Sequence, residues 1–276
     1  MNTSDYLKEM SGQLNAIFVN EDSSISHFYE EVHPKALLEQ KKNIEIVIDK
    51  GFHLNIISES DKMFMKPSGK PNRLYGQPKV HKGVKEGSVI PPCRPIVSNS
   101  GANTENISAF IDHHSNHLVK KLESYIEDTP DLLRLIEKEN QSGKQPPNTF
   151  PVTIDVQSLY TNIPINGEHG GLQAFEKALN MRDTEEQNLA PTNFLMELLE
   201  LVLNGNIFEF NGKIFKQKIG TSMGTKVAPT YACIFMGWLE KNFLEEKWSG
   251  TKPHMYKRYI DDIFFLWHST VVPHLT

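Results

Sequence analysis

Three aspartates lie at positions where a folded chain can gather carboxylates. Asp155 ends the apolar segment Phe150–Val156, whose β-branched residues predict a short buried strand. Asp261 and Asp262 separate two strand-like segments, so a tight hairpin is predicted to hold both acids in its turn. If the strand and the hairpin are neighbours, the three carboxylates meet at one edge of a sheet. The two hairpin segments are Met255–Ile260 and Ile263–Trp267.

A carboxylate cluster of this kind suits phosphoryl transfer from a nucleoside triphosphate. That reaction uses two divalent cations about 4 Å apart, one at the attacking hydroxyl and one at the triphosphate. Mg2+ prefers hard oxygen ligands and keeps several waters, so a few carboxylates suffice, and Mn2+ can substitute. Like charges this close also predict a raised pKa for at least one carboxyl. An Asp-Asp pair has a second, purely structural interpretation, because turns favour aspartate for local hydrogen bonds.

The elements that would position these acids follow one another along the chain. A helix is predicted near Ser124–Lys138, and the polar segment Glu139–Asn148 is typical of a loop. After Asp155, helices are predicted near Leu172–Leu179, Phe194–Leu203 and Thr230–Glu246, with a hairpin over Ile207–Phe215 and a glycine-rich turn over Gly220–Gly224. This order implies an α+β domain whose antiparallel sheet collects acids from distant parts of the chain.

Local signals refine these elements. Asn211-Gly212 supplies the two positive-φ positions of a type I′ turn. Thr192 is the candidate N-cap of the helix around Phe194–Leu203, and Gly205 is its candidate stop. The residues predicted to face the interior are Leu195, Leu198, Leu199 and Val202 in that helix, and Tyr231, Ile234, Trp238 and Phe243 in the next.

Composition limits the class of protein. The 276 residues are 38% apolar, enough for one large domain or two small ones. The net charge is −5, yet Gly51–Pro95 carries eight basic residues against three acidic ones, a stretch typical of a solvated face or of phosphate binding. The two cysteines form no CxxC pair, and a reducing compartment is expected. No signal peptide or membrane span is predicted, so an intracellular protein is expected, nuclear or cytoplasmic.

Several motifs occur together in a characteristic order. Tyr259-Ile-Asp-Asp262 matches the YxDD box of reverse transcriptases, and Asp155-Val-Gln-Ser-Leu-Tyr160 resembles their first palm motif. The finer pattern is similar to the reverse transcriptases of Penelope-like retroelements. It is carried by YGQPKVHK (75–82), RPIVS (94–98), DHH (112–114), SYIEDT (124–129), DVQSLYTNIP (155–164) and GTSMGTKVAPTYA (220–232). The resemblance spans roughly Lys66 to Trp267.

The resemblance implies a right-hand polymerase fold of the α+β class, with an antiparallel palm sheet packed on helices and with fingers. The corresponding regions are an N-terminal, mostly helical extension (1–65), the fingers and their connection to the palm (66–150), and the palm (151–276). Only nine residues follow Trp267, so no thumb is expected in this chain, and no GIY-YIG endonuclease is recognised. The implied partners are an RNA template, a DNA primer and a dNTP. The choice of RNA as the template rests on the resemblance alone.

The family's metal-binding roles map onto the acids. Asp155 and Asp261 would hold two Mg2+ ions, together with the main-chain carbonyl of Val156. Asp262 would act less directly.

The family's substrate-binding roles map onto a second set of residues. Tyr160 would lie under the sugar and reject a 2′-hydroxyl. Arg94 would bind the triphosphate, with Lys79 as a weaker candidate, since a guanidinium can contact two oxygens at once. Met223 and Gly224 would line the nascent base pair; many reverse transcriptases have Gln at the position of Met223.

Each assignment has a structural alternative. Tyr160 could be a core residue, Arg94 a surface residue, and the glycines could serve only a turn. His113 and His117, four residues apart and expected on one helix face with His114 beside them, raise the question of a zinc site. No cysteine or further histidine stands at ligand spacing, which favours a structural or template-facing role.

Two other functions remain open at this point. One is a nucleic-acid-binding remnant of a polymerase that does not catalyse. The other is a carboxylate-metal nuclease. It fits the sequence poorly, because Tyr160, five residues after Asp155, and the region around Arg94 suit a triphosphate substrate rather than a hydrolytic water.

Overall fold

The computed structural model describes residues 3–19, 25–84, 86, 90–143, 145–183, 190–247 and 253–268. The α-helices are α1 (Thr3–Leu14), α2 (Lys35–His53), α3 (Glu59–Met65), α4 (Glu105–His113), α5 (Asn116–Val119), α6 (Thr129–Ser142), α7 (Leu159–Asn162), α8 (Gly171–Asn180), α9 (Thr192–Asn204) and α10 (Ala228–Lys241). The strands are β1 (Ile17–Val19), β2 (Ile25–His27), β3 (Tyr29–Glu31), β4 (Asn72–Pro78), β5 (Cys93–Ser98), β6 (Thr149–Asp155), β7 (Ile207–Phe210), β8 (Lys213–Gln217), β9 (His254–Tyr259) and β10 (Asp262–His268).

Two sheets organise the part of the molecule that carries the motifs. β6, β10 and β9 form an antiparallel sheet in that order. A mixed five-stranded sheet runs β3-β8-β7-β4-β5, and its β4–β7 pairing is parallel. β1 and β2 form a separate antiparallel pair. The predicted α+β class, with an antiparallel sheet packed on helices, is confirmed.

The larger hydrophobic core lies among the helices and beneath the β6-β10-β9 sheet. α10 packs against α8, and α9 packs against α2, α4 and α8. Large side chains fully buried there include Tyr231, Phe175, Leu195 and Leu198, and Ile263 joins them from β10. Burying each such side chain stabilises the fold by roughly 1.5–3 kcal/mol. This core therefore anchors the sheet that bears the acids.

A smaller core lies between α1 and the five-stranded sheet. It contains Met10 and Leu14 of α1, Leu74 and Val97 of β4 and β5, and Phe208 of β7. Residues from the first 65 positions thus contribute to both cores, because Ile44 and Ile48 of α2 lie in the larger one. No helix within the described ranges is long and apolar enough to cross a membrane.

Predictions of one turn and two helices from local signals are confirmed. The turn between β7 and β8 holds Asn211 at φ 49° and Gly212 at φ 75°, as a type I′ turn requires. α8 and α9 form where predicted, and the inward residues of α9 are buried. The predicted cap of α9 is wrong. Pro191 is its N-cap residue, and the Thr192 hydroxyl instead accepts a hydrogen bond from the Arg182 guanidinium at 3.1 Å.

The boundaries of α6 also differ from the prediction. The helix starts at Thr129 because the Asp128 carboxylate caps it by accepting from the Asp131 amide at 2.8 Å. It continues through Ser142, into the predicted loop, until Gly143 ends it with φ 60°. α10 ends early, at Lys241, and passes into a π-helix over Asn242–Lys247, so Phe243 is 47% exposed and does not face inward.

The prediction of a buried strand before Asp155 is wrong. β6 is an edge strand, most of its residues are exposed or half-buried, and Ile154 is 48% exposed. An apolar, β-branched run identifies a strand, but not how many neighbours cover it.

Candidate active site

The structure brings the three predicted acids together at one end of the β6-β10-β9 sheet. β10 pairs with β6 so that Asp262 lies directly opposite Asp155. Residues paired in this way have Cα atoms roughly 4.5–5.5 Å apart. One residue on, the Val156 amide donates to the main-chain carbonyl of Asp261 at 2.9 Å. The strand end and the hairpin are neighbours, as the sequence predicted.

The hairpin turn is shifted by one residue from the prediction. β9 ends at Tyr259 and β10 begins at Asp262, which pairs with both Tyr259 and Asp155. The turn is therefore formed by Ile260 and Asp261, and it carries one carboxylate rather than two. Ile260 has φ 55°, a left-handed conformation that a β-branched residue rarely adopts.

The three carboxyls differ in environment. Asp155 and Asp262 are exposed, whereas Asp261 is half-buried. Burial raises the pKa of Asp261, and a backbone hydrogen bond opposes that rise. The charges of Asp262 and Asp155 raise the pKa further, and Arg94 lowers it. The predicted upward shift is confirmed for one acid, but burial contributes more to it than the neighbouring charges do.

The three carboxylates suit Mg2+ but do not enclose an ion by themselves. Among the described residues, no three His, Cys, Asp or Glu side chains lie close enough to hold one ion between them. Mg2+ is commonly bound by one or two carboxylates together with waters and substrate phosphates. Two exposed carboxylates opposite each other, with a third beside them, fit that mode of binding, in which the substrate completes the coordination.

Tyr160 lies beside the acids on the short helix α7. Its ring is half-buried, and burial raises the pKa of Tyr160 to about 12, with smaller upward effects from Cys233, Asp261 and Tyr259. The phenol is therefore neutral at physiological pH. Its main-chain carbonyl accepts from the Thr221 amide at 2.7 Å, which holds the glycine-rich turn against α7.

The glycine-rich turn also contacts the five-stranded sheet. Gly224 forms a parallel bridge with Ser98 at the end of β5. A Cβ at Gly224 would stand 2.2 Å from the Val97 carbonyl oxygen, so no side chain fits at this contact. Met223, half-buried, precedes it. The turn thereby joins the strand that bears Arg94 to the helix that bears Tyr160.

Arg94 and Lys79 belong to the β4–β5 hairpin. Arg94 is exposed and lies opposite Gln77. Its positive charge opposes the rise in the pKa of Asp261 that burial causes. Lys79 is half-buried one residue beyond β4, where its amide donates to the Pro92 carbonyl at 2.9 Å. One residue of the wider basic stretch pairs with an acid on α2. Lys62 pairs with Asp49 on α2 at 2.7 Å, and Lys85 lies outside the described residues.

The sequence motifs did not identify two buried residues that support the β9–β10 hairpin. Arg258 and Glu240 are 3% and 8% exposed and pair at 2.6 Å. The Arg258 guanidinium also donates to the Ile260 carbonyl at 2.9 Å and to the Cys233 carbonyl at 3.2 Å. Glu240 accepts from Ser124 at 2.6 Å and from Tyr256 at 3.0 Å. Burial raises the pKa of Tyr256, and the charge of Glu240 and this hydrogen bond raise it further. The sequence signal that could have identified this pair is Glu240, a charged residue in the largely apolar helix α10.

The histidines do not share one helix face. α4 ends at His113, His114 is its C-cap residue, and His117 lies on the separate helix α5. The premise of a zinc pair four residues apart is therefore wrong. His114 packs on Phe110 with ring centroids 4.4 Å apart, which matches the structural role.

No protein-family model and no curated protein matches this sequence. Solved structures do match. Apo telomerase from Candida tropicalis, truncated from its C-terminal domain, superposes with a TM-score of 0.53 at 13% identity over 73% of this chain and 45% of that one. Telomerase from Candida albicans, in complex with the TWJ fragment of telomeric RNA, gives a TM-score of 0.50 at 11% identity over 71% of this chain and 40% of that one. The chain has a right-hand polymerase fold. It spans less than half the length of these telomerase chains.

Proposed function

We propose that this chain is the fingers and palm of an RNA-directed DNA polymerase of the Penelope-like retroelement type, which adds dNTPs to a primer 3′ end. The observation that carries the proposal is the pairing of Asp262 with Asp155 across β10 and β6, with Asp261 in the adjoining turn. This arrangement occurs on a fold shared with telomerase. The Penelope-like type is supported by the ordered sequence motifs.

The acids supply the metal-binding part of this mechanism. Asp155, Asp261 and the Val156 carbonyl would hold two Mg2+ ions, with Asp262 contributing less directly. When bound, the ions lower the pKa of the primer 3′-hydroxyl and neutralise charge on the triphosphate. The raised pKa of Asp261 fits this role, because a nearby cation favours the ionised carboxylate that burial disfavours.

The β4–β5 hairpin binds the triphosphate in this mechanism. Arg94 is exposed, and its positive charge opposes the rise in the pKa of Asp261 that burial causes. A guanidinium donates to two phosphate oxygens at once, which fixes orientation as well as neutralising charge. Lys79, on the same hairpin, is the weaker candidate and adds a point charge. Both cations would neutralise charge on the pyrophosphate leaving group.

Tyr160 and the glycine-rich turn select the substrate. The neutral, half-buried ring of Tyr160 occupies the space that a ribose 2′-hydroxyl needs, so ribonucleotides are rejected by steric conflict. Met223 and Gly224 line the nascent base pair. Their place is fixed by the Gly224–Ser98 bridge and by the Thr221–Tyr160 hydrogen bond.

Primer extension with the purified chain tests the proposal. A labelled DNA primer is annealed to matched RNA and DNA templates and incubated with Mg2+ and either dNTPs or NTPs. The proposal expects dNTP addition on RNA that Asp155→Asn abolishes. NTP addition would identify an RNA polymerase, primer shortening would identify a nuclease, and duplex binding without either would identify a non-catalytic binding protein.

A further inference from the structure

A buried ion pair lies directly under the turn that carries Asp261. Arg258 is the penultimate residue of β9, and Glu240 is on the last turn of α10. The guanidinium Nε lies 2.6 Å from Glu240 Oε1, and both residues are almost fully buried. Replacing a buried ion pair with apolar residues of similar volume is often neutral or stabilising. Fold stability alone therefore does not account for these charges.

The hydrogen bonds of Arg258 lead to the catalytic turn. Its Nη1 donates to the Ile260 carbonyl at 2.9 Å, and its Nη2 donates to the Cys233 carbonyl on α10 at 3.2 Å. Its main-chain amide donates to the Ser124 carbonyl at 2.6 Å. A guanidinium offers five donors in a fixed plane, whereas a lysine ammonium offers a single point charge. The side chain thus ties the turn, through the Ile260 carbonyl, to α10, through the Cys233 carbonyl and the Glu240 carboxylate.

The turn needs such an anchor. Ile260 is in the left-handed region, where a β-branched residue persists only when its surroundings enforce the conformation. The Ile260 carbonyl belongs to the peptide bond that leads into Asp261. The peptide bond that leaves Asp261 is held on the other side by the Val156 amide at 2.9 Å. The main chain of Asp261 is thus fixed from both directions, once by Arg258 and once by the strand that ends at Asp155.

Glu240 keeps the guanidinium in place. Its carboxylate accepts from Arg258, from the Ser124 hydroxyl at 2.6 Å and from the Tyr256 hydroxyl at 3.0 Å. These partners come from β9 and from the segment before α6, so Glu240 joins both to α10. We infer that Arg258 and Glu240 are positioning residues, which hold the strained Ile260–Asp261 turn in the geometry that nucleotidyl transfer requires. The inference rests on the proposed function of the Asp155–Asp262 site.

Two substitutions test the inference. Arg258→Lys keeps the charge and removes the planar donors, and the double variant Arg258→Met with Glu240→Leu replaces the pair with apolar side chains. Lys257→Met is the matched control, because Lys257 is the adjacent residue of β9 and its ammonium donates to the Glu123 carbonyl at the surface. Thermal unfolding, binding of a labelled primer–template, single-turnover extension and amide hydrogen exchange over residues 256–264 are measured for each.

The inference predicts a specific pattern. Both test variants fold and bind primer–template with unchanged Kd, the turn amides exchange at least about tenfold faster, and extension slows by about a hundredfold, the size expected for a reacting group misplaced by about 1 Å. Lys257→Met changes none of these. A folded double variant with wild-type exchange and wild-type extension would overturn the inference. If the double variant does not fold, Arg258→Lys decides by the same criteria.

The exchange measurement also separates this inference from the proposed function. If the wild-type chain extends no primer, the polymerase proposal fails. The exchange rates of the turn still show whether Arg258 and Glu240 hold it.

Discussion

At the scale of single residues, Tyr160 offers the sharpest test of substrate choice. Its ring is half-buried next to Asp261, and its neutral phenol has little to contribute to binding a triphosphate. A steric function is the role that this position supports. Its structural alternative, a plain core residue, predicts a loss of stability upon truncation and no change in sugar discrimination.

Tyr160→Ala is expected to admit ribonucleotides. The ratio of kcat/KM for a dNTP to that for the matching NTP should fall at least about tenfold, which corresponds to about 1.4 kcal/mol of lost discrimination. Tyr160→Phe, which keeps the ring, should retain the wild-type ratio. Single-nucleotide incorporation on an RNA template measures both. An unchanged ratio in Tyr160→Ala would assign the ring to the core.

His114 gives a prediction for pH. The pKa of His114 is lowered from 6.5 to about 4, mainly by burial and also by the charge of His113, while Asp61 acts in the opposite direction. The unfolded chain therefore binds this proton more tightly than the folded chain does between about pH 6.5 and pH 4. The contribution of His114 to the free energy of unfolding is therefore fully present above pH 6.5, and it is lost as the pH falls from 6.5 to about 4.

His114→Leu should flatten this acid dependence. Urea unfolding at pH 7 and pH 5 should show a smaller loss of stability for His114→Leu than for the wild type. His81→Leu, at an exposed histidine that does not influence His114, should behave like the wild type at both values. An equal loss in His114→Leu would mean that other groups cause the acid sensitivity.

At the scale of elements, the glycine-rich turn is fixed by contacts that join the five-stranded sheet to α7. One further link is a buried amide chain, in which Asn72 donates to Asn206 at 3.1 Å and Asn206 donates to Gln217 at 2.7 Å. Gln217 then donates to the Ile219 carbonyl at 2.8 Å, immediately before the turn. Strand β4 is thereby connected to the turn that contacts Tyr160.

Gly224→Ala should break the closest of these contacts. Its Cβ would stand 2.2 Å from the Val97 carbonyl, and main chain cannot move aside as a flexible side chain can. We expect a loss of about 1–3 kcal/mol in the free energy of unfolding. Gly12→Ala is the matched control, since nothing lies within 4 Å of its added methyl and alanine favours helix α1. Wild-type stability in Gly224→Ala would show that the turn can move away from β5.

The same elements show what the sequence could predict. The Asn211-Gly212 turn and the helices α8 and α9 were predictable, because their signals lie within the segment itself. The exposure of Ile154 was not, because it depends on β6 having a neighbour on one side only. The position of Asp155 at a strand end and of the other two acids in a hairpin predicted that the three acids meet. It did not reveal Arg258 and Glu240, whose pairing joins residues 18 positions apart on different elements.

At the scale of the whole molecule, the fold and the sequence motifs support each other from independent directions. The likeness to telomerase structures, at 13% and 11% identity, concerns the course of the backbone. The motifs concern particular side chains, and those that begin at Asp155, Gly220 and Tyr259 fall at the junction of β6, the β9–β10 hairpin, α7 and the glycine-rich turn. A shared fold hosts many functions, so the chemistry has to be tested at the acids themselves.

The most direct measurement is single-turnover addition of one dNTP to a primer on an RNA template, with the wild-type chain, Asp261→Asn and Asp183→Asn. Asp183 undergoes the same change and is an exposed acid paired with Lys121. The account predicts addition by the wild type and by Asp183→Asn. It predicts a loss of at least about a thousandfold, or about 4 kcal/mol of transition-state stabilisation, in Asp261→Asn with primer–template binding retained. Wild-type addition by a folded Asp261→Asn variant would contradict it.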